Sequence, residues 1–171
     1  MSEYGFWNIA ARHPERLALV EPDGAKVSAG ELLARSNRLV HGLRALGLAP
    51  GDVIATVLPN GATMIELYLA AAQGGWYLTP INHHLTAPEI AYIVADSDAK
   101  VFVGHKRFLD VCKAALAEIN FPSQRRFMAG GDVDSFRPYA AIGRGQSEDT
   151  PTDRRAGQVM NYTSGTTGKP K

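Results

Sequence analysis

The stretch Val53-Ile54-Ala55-Thr56-Val57-Leu58 is short and apolar at all but one position. Such a run predicts a strand that is buried on both faces, as strands of parallel sheets are. The turn Pro59-Asn60-Gly61 follows it, and residues 62–73 predict a helix that Asn60 is placed to cap. Two glycines end this helix, and residues 76–81 predict the next strand. A strand, a helix and a second strand in this order form a βαβ unit, which indicates an α/β fold.

The same alternation extends in both directions from this unit. Ser28-Ala29-Gly30-Glu31 and Thr86-Ala87-Pro88-Glu89 are capping boxes, each of which predicts the start of a helix. Gly47 follows the last leucine of the first of these helices and predicts its end. The remaining predicted elements are a short helix over 3–11, a hairpin over 17–27, a strand over 100–103, a helix over 108–119 and a strand over 126–129. We therefore expect a mostly parallel sheet with flanking helices.

The composition changes after residue 129. Gly, Asp, Ser, Arg, Pro and Thr dominate residues 130–155, which predicts a long surface connection with about one helical turn. Residues 158–162 then predict a last strand. These changes divide the chain into an N-terminal α/β subdomain (1–129), an irregular surface connection (130–156), and a strand with the start of a loop (157–171) that opens a further part of the protein.

Composition and charge exclude several classes of function. The chain of 171 residues has 45% hydrophobic and 20% charged residues and a net charge of +1, so it lacks the basic character of a nucleic-acid-binding protein. No apolar run approaches the ~18 residues of a membrane span, and the N-terminus lacks the pattern of a signal peptide. The single cysteine, Cys112, excludes an internal disulfide and suits a reducing compartment. We expect a cytoplasmic protein in which Cys112 is a partly buried helical residue.

The chemistry of the chain is concentrated in Tyr162-Thr163-Ser164-Gly165-Thr166-Thr167-Gly168-Lys169-Pro170-Lys171. Glycines permit a tight loop whose N–H groups converge on an anion, and hydroxyls and a lysine add phosphate ligands. The loop is not the P-loop of nucleotide hydrolases, because Gly165 and Gly168 are too close and no Ser or Thr follows Lys169. A dinucleotide fold is also excluded, because no Gly-x-Gly-x-x-Gly follows the first strand of the α/β pattern.

This run resembles, residue for residue, the phosphate-loop signature of the acyl-adenylate-forming enzymes, which include acyl-CoA synthetases, luciferases and peptide-synthetase adenylation domains. Ala45-Leu46-Gly47-Leu48-Ala49-Pro50-Gly51-Asp52 and Pro80-Ile81-Asn82 are similar to that family's N-terminal region. The resemblance covers residues 5–171 and is weakest over 120–155. Around His83-His84-Leu85-Thr86-Ala87-Pro88-Glu89 the chain looks most like a bacterial fatty acyl-CoA synthetase.

The resemblance implies the N-terminal subdomain of an acyl-CoA synthetase-like fold, truncated after the phosphate loop. It also implies a two-step reaction of a carboxylic acid, a fatty acid in this subgroup, with ATP, magnesium and CoA. Residues matching the family's phosphate ligands are Thr163, Ser164, Thr166, Thr167 and Lys169, with Gly165 and Gly168 allowing the loop to close. The family's catalytic lysine lies further along the chain, so we expect no catalytic residue and no metal site within this piece, and no turnover by it alone.

Three alternatives stay open from the sequence. The chain could be a non-catalytic interaction or regulatory module derived from this family, with self-association through the sheet surface that a missing half would cover. A fatty acyl-AMP ligase or an aryl-CoA ligase would share the same loop. His83-His84 could suggest a metal, but no second cluster at ligand spacing accompanies it.

Overall fold

The computed structural model describes residues 5–163, and Met1–Tyr4 and Ser164–Lys171 lie outside the described residues. The helices are α1 (Phe6–Arg12), α2 (Ala29–Ala45), α3 (Ala62–Gly74), α4 (Ala87–Asp96), α5 (Leu109–Glu118) and α6 (Ala140–Gly143). The strands are β1 (Leu17–Val20), β2 (Lys26–Ser28), β3 (Val53–Val57), β4 (Tyr77–Pro80), β5 (Ala99–His105), β6 (Arg126–Ala129), β7 (Arg137–Pro138) and β8 (Gln158–Val159).

The predicted α/β fold with a mostly parallel sheet is confirmed. Six strands lie in the order β7-β6-β5-β3-β4-β8, and every neighbouring pair is parallel. The strands β1 and β2 form a separate antiparallel hairpin, as predicted. Helices α2, α3 and α6 pack on one face of the large sheet, and α4 and α5 pack on the other. The sheet is therefore the middle layer of three.

The run that begins at Val53 is the centre of the sheet. All five residues of β3 are buried, because the strand has neighbours on both edges and helices on both faces. Trp76 is fully buried in the core beneath α2 and α3. Cys112 is fully rather than partly buried, against the opposite face. Burial raises the pKa of its thiol to about 12, so Cys112 is uncharged and unreactive at neutral pH.

Both predicted capping boxes are present. The backbone N–H of Glu31 donates to Ser28 Oγ at 3.2 Å, and the N–H of Ser28 donates back to Glu31 Oε2 at 3.0 Å. Thr86 and Glu89 make the equivalent pair at the start of α4. Gly47, just after α2, has a φ of +87°, which other residues rarely adopt. The local signals thus set where these helices begin and end.

The predicted cap of α3 is wrong. No side chain of the adjoining residues caps this helix, whose N-cap is Gly61. Instead, the N–H of Ala62 donates to Glu21 Oε1 at 3.0 Å, from the turn of the β1–β2 hairpin. A carboxylate is better suited than the Asn60 amide to the partial positive charge of a helix N-terminus. The contact also fixes the hairpin against the main domain.

The segment after β6 contains more regular structure than its composition predicts. It supplies β7 at one edge of the sheet and the single turn α6, with Phe136 and Ile142 buried. Asn37 Nδ2 donates to the carbonyl of Glu148 at 2.7 Å, which holds the segment against α2. Whether residues 130–156 separate two domains remains a prediction.

Within residues 5–163, no helix is both long enough and apolar enough to cross a lipid bilayer.

Candidate functional site

The predicted phosphate loop begins at the carboxyl end of β8. This strand pairs in parallel with β4, with Tyr77 opposite Gln158 and Leu78 opposite Val159. Thr163 is exposed four residues after the strand. Ser164, Gly165, Thr166, Thr167, Gly168 and Lys169, the other predicted phosphate ligands, lie outside the described residues. The chain therefore enters the predicted loop at the carboxyl ends of the strands, which is where open parallel α/β folds bind ligands.

The strand β8 is shorter than residues 158–162, over which it is predicted. The N–H of Gln158 donates to the carbonyl of Trp76 at 3.0 Å, and that of Met160 donates to Leu78 at 2.8 Å. The next bond of a parallel ladder would need an N–H at position 80, where the residue is Pro80 and has none. The pairing therefore stops at Met160, and the chain is released from the sheet just before the loop.

Close backbone packing around Gly157 fixes the start of β8. Gly157 lies between two backbone segments, and a Cβ there would lie 2.0 Å from the carbonyl oxygen of Ala71 and 2.4 Å from that of Trp76. The N–H of Gly157 donates to the carbonyl of Ala72 at 3.1 Å. Only glycine fits this passage, because neither carbonyl can move without disturbing α3 or β4.

Beyond β8, Tyr162 returns to the body of the domain. Its hydroxyl donates to Asp96 Oδ2 at 2.7 Å, and its ring packs against the apolar cluster beneath α4 and α5. Burial, and then the Asp96 carboxylate, raise the pKa of Tyr162. The hydroxyl is therefore protonated at neutral pH and acts as a donor.

A cleft of about 550 Å³ also lies at the carboxyl ends of the strands. It is lined by the residues after β3 and after β5, two neighbouring strands whose following helices, α3 and α5, lie on opposite faces. This arrangement is the topological switch point at which α/β sheets bind ligands. His83 stacks on Phe108 with ring centroids 4.4 Å apart, and Arg107 lies beside them. Rings and a guanidinium can hold a planar or anionic group.

His105 lines the same cleft. Burial, and then the nearby Arg107 guanidinium, lower its pKa, so its ring is neutral at pH 7. Its Nδ1 accepts the backbone N–H of Arg107 at 3.1 Å. Among residues 5–163, no group of three or more His, Cys, Asp and Glu side chains could hold a metal ion. His83 contributes aromatic surface to the cleft, and the ring of His84 lies against that of His83 with centroids 4.2 Å apart.

Sequence reasoning missed Glu21 and Asp96. Glu21 caps α3 from a position 41 residues earlier, and Asp96 meets Tyr162 from a position 66 residues earlier. The one local signal is that Asp96 ends a helix, where a negative charge opposes the helix dipole. An acidic residue in that place indicates a partner elsewhere in the fold.

A second cavity, of about 430 Å³, lies between α2, α3 and α6. On its wall the buried Glu66 carboxylate accepts hydrogen bonds from Arg35 Nη1 at 3.3 Å and from Tyr139 Oη at 2.8 Å. Burial, followed by the neighbouring Glu66 carboxylate, raises the pKa of Tyr139 well above its ordinary value of 10.0. This ion pair and its tyrosine join α3 to the segment that follows β6.

We expect Tyr139→Phe to make the protein less sensitive to alkali. A raised pKa means that Tyr139 stabilises the fold fully below pH 10, and that this contribution is lost as the pH rises above the unfolded-state value. At pH 7 the variant should lose about 1–2 kcal/mol, because the Glu66 carboxylate loses a donor. Urea unfolding from pH 7 to 10.5 measures both effects, with Tyr68→Phe, an exposed tyrosine on α3, as control. If the free energy of unfolding of Tyr139→Phe falls between pH 7 and 10.5 as steeply as that of the unmodified protein, the prediction is wrong.

The chain resembles a set of ligases along nearly its whole length. A family model described as AMP-binding enzyme matches residues 6–171. The chain is 33% identical over 162 residues to the long-chain-fatty-acid–CoA ligase FadD13 of Mycobacterium tuberculosis (strain ATCC 25618 / H37Rv), covering 92% of this chain and 31% of that protein. It is 30% identical over 172 residues to the feruloyl-CoA synthase of an Amycolatopsis species, covering 98% and 32%.

Solved structures agree with the sequence relatives. A structure described as Mycobacterium tuberculosis fatty acyl CoA synthetase superposes with a TM-score of 0.81 at 30% identity, over 97% of this chain and 32% of that chain. The chain thus spans about a third of the length of the relatives that it matches.

Proposed function

The chain belongs to the family of AMP-binding enzymes. We propose that the protein containing it is an ATP-dependent ligase that joins a carboxylic acid to CoA, and that the preferred acid is a fatty acid. The observation that carries the proposal is the family match over residues 6–171, which includes the Thr/Ser/Gly run after β8. The position of β8 supports it, because this strand precedes the run and its carboxyl end lies where parallel α/β sheets bind ligands.

The reaction proposed has two steps. A carboxylate oxygen attacks the α-phosphorus of ATP, the bond to the β-phosphate breaks, and acyl-AMP and pyrophosphate result. The CoA thiol then attacks the acyl carbon, loses its proton and displaces AMP to give the thioester. In the first step negative charge develops on the departing pyrophosphate, where donors and a cation stabilise it most.

The residues of the loop fit a triphosphate. Thr163 is exposed four residues after β8, and the positions after it supply hydroxyls, glycine N–H groups and the ammonium groups of Lys169 and Lys171, all of which can donate to phosphate oxygens. We propose that Thr163, Ser164, Thr166, Thr167 and Lys169 hold the β- and γ-phosphates. Magnesium, when bound between the phosphates, would neutralise part of their charge.

Relatives of two acid classes match the chain at similar identity. The one named a long-chain-fatty-acid–CoA ligase is 33% identical, and the one named feruloyl-CoA synthase is 30% identical. The fatty acid is favoured by the solved structure at 30% identity and a TM-score of 0.81, which is also described as a fatty acyl CoA synthetase. An aromatic acid is the second candidate.

Pyrophosphate release tests the proposal. The whole protein that contains this chain is incubated with ATP, magnesium and CoA, and with acetate, octanoate, palmitate or ferulate in turn. We expect release that depends on both ATP and a fatty acid, and none from the 171-residue chain alone. Release with ferulate only would assign the aromatic class, whereas no release with any acid would contradict a ligase and favour a non-catalytic module.

The acceptor is tested in the same assay. Omission of CoA should leave acyl-AMP on the enzyme and stop turnover after one cycle, if CoA is the acceptor. Continued turnover without CoA, with acyl-AMP appearing in solution, would favour an acyl-AMP ligase.

Sedimentation of the 171-residue chain shows whether it associates with itself, as the exposed apolar side chains of Tyr77 and Val159 on the sheet would allow.

A further inference from the structure

Between the end of β8 and the phosphate loop, one side chain holds the main chain in place. Pairing with β4 stops at Met160, because position 80 is proline. Within residues 5–163, the bond from Tyr162 to Asp96 is the only hydrogen bond made by residues 161–163. The position of the chain as it enters the loop therefore depends on a contact with α4.

The location of Asp96 indicates that this contact has a purpose beyond the stability of α4. Asp96 is the last residue of the helix and is exposed. A carboxylate there faces the negative end of the helix dipole, which weakens the helix. It accepts the Tyr162 hydroxyl at 2.7 Å. Burial, and then the Asp96 carboxylate, also raise the pKa of Tyr92, one turn earlier. A charged acceptor makes a stronger hydrogen bond to Tyr162 than a neutral one would.

We propose that Asp96 is a positioning residue for the phosphate loop, and that it acts by holding the Tyr162 hydroxyl. The Tyr162 ring packs against the apolar cluster under α4 and α5, and its hydroxyl is hydrogen-bonded to Asp96. Both ends of the side chain are therefore held in place. The main chain two residues before the Ser164-Gly165-Thr166-Thr167-Gly168 run is thereby fixed relative to the sheet. A loop that enters from a fixed point loses less conformational entropy when it closes on phosphate. This inference rests on the function proposed above.

Four variants separate the anchor from general stability. Tyr162→Phe removes the hydroxyl and keeps the ring, and Asp96→Ala removes the acceptor. Tyr92→Phe is the matched control, because it removes a tyrosine hydroxyl near the same carboxylate without touching the chain that enters the loop. Asp96→Asn keeps an acceptor oxygen and should restore part of what Asp96→Ala loses.

In the whole protein, we expect Tyr162→Phe and Asp96→Ala to raise the KM for ATP about fivefold to tenfold, the effect of losing one hydrogen bond of ordinary strength. The KM for the carboxylic acid should stay unchanged and kcat should change less than twofold, with Tyr92→Phe close to the unmodified protein. A parallel change in both KM values and kcat, or no change in the KM for ATP, would overturn the proposal.

Hydrogen exchange supplies a readout that does not depend on activity. The amides of Gln158 and Met160, which donate to the carbonyls of Trp76 and Leu78, should exchange faster in Tyr162→Phe and Asp96→Ala than in Tyr92→Phe, with the rest of the domain unchanged. If the unmodified protein releases no pyrophosphate, the proposed function fails, and exchange alone then decides whether the anchor exists. Unchanged exchange at Gln158 and Met160 would overturn the anchor in either case.

Discussion

Replacing Lys169 by alanine is expected to lower kcat/KM for ATP about 100-fold in the whole protein, a loss of roughly 2.7 kcal/mol in transition-state stabilisation. Lys169 directly follows the Thr/Ser/Gly run, and it lies outside the described residues. In the function proposed above, it faces the pyrophosphate as that group takes up charge. An interaction that strengthens in the transition state affects the rate more than it affects binding of the ground state. The measurement is pyrophosphate release at varied ATP concentration.

Two further variants make the result specific. Lys169→Arg keeps the charge but not the compact ammonium, so it should recover a part of the lost activity. Lys171→Ala removes a lysine two positions further on, outside the predicted phosphate ligands, and should change kcat/KM less than threefold. Equal losses in Lys169→Ala and Lys171→Ala would mean that the loop attracts ATP through its general charge, and the assigned role of Lys169 would be wrong.

Gly157→Ala is expected to destabilise the protein by about 3 kcal/mol, near the upper end of the range for an overpacked site. The new Cβ would lie 2.0 Å from the carbonyl oxygen of Ala71 and 2.4 Å from that of Trp76. Both obstacles are backbone, so relief requires β8 to move away from β4 or α3 to shift. Urea unfolding measures the change, and we expect the KM for ATP to rise as well, because β8 leads into the loop.

Gly143→Ala serves as the control, since it adds the same methyl group at the end of α6. Its nearest neighbour would be the Cβ of Arg38 at 3.2 Å, and no backbone atom lies closer than 3.7 Å. We expect it to cost less than about 1 kcal/mol. A Gly157→Ala protein that unfolds within 0.5 kcal/mol of the unmodified protein, with its KM for ATP unchanged, would show that β8 has room to adjust.

Much of the fold follows from the sequence because its signals are local. The apolar run at Val53 predicts a strand buried on both faces, and the structure places it at the centre of the sheet. The capping boxes at Ser28 and Thr86 set the starts of α2 and α4 by contacts within one helical turn. Gly47 ends α2 through its own positive φ. Such features need no information from distant parts of the chain.

The errors have a common cause, which is competition from residues far away in sequence. Asn60 is a suitable cap for α3, but the Glu21 carboxylate of the hairpin turn reaches the same helix end and bonds to Ala62. Residues 158–162 predict a five-residue strand, but its partner has Pro80 where the ladder needs a donor. The strand β7 is too short and polar to be recognised, and it forms because β6 offers a free edge.

By itself, the sequence determined that this chain is an α/β domain and predicts a phosphate loop in its Thr/Ser/Gly run, because period, caps and loop composition are properties of neighbouring residues. Only the tertiary structure decided how that loop is approached. Gly157 passes between the Ala71 and Trp76 carbonyls, and Tyr162 meets Asp96 across 66 positions. A steric gap or a hydrogen bond between residues so far apart exists only once the sheet and its helices have packed together, so no local pattern encodes it.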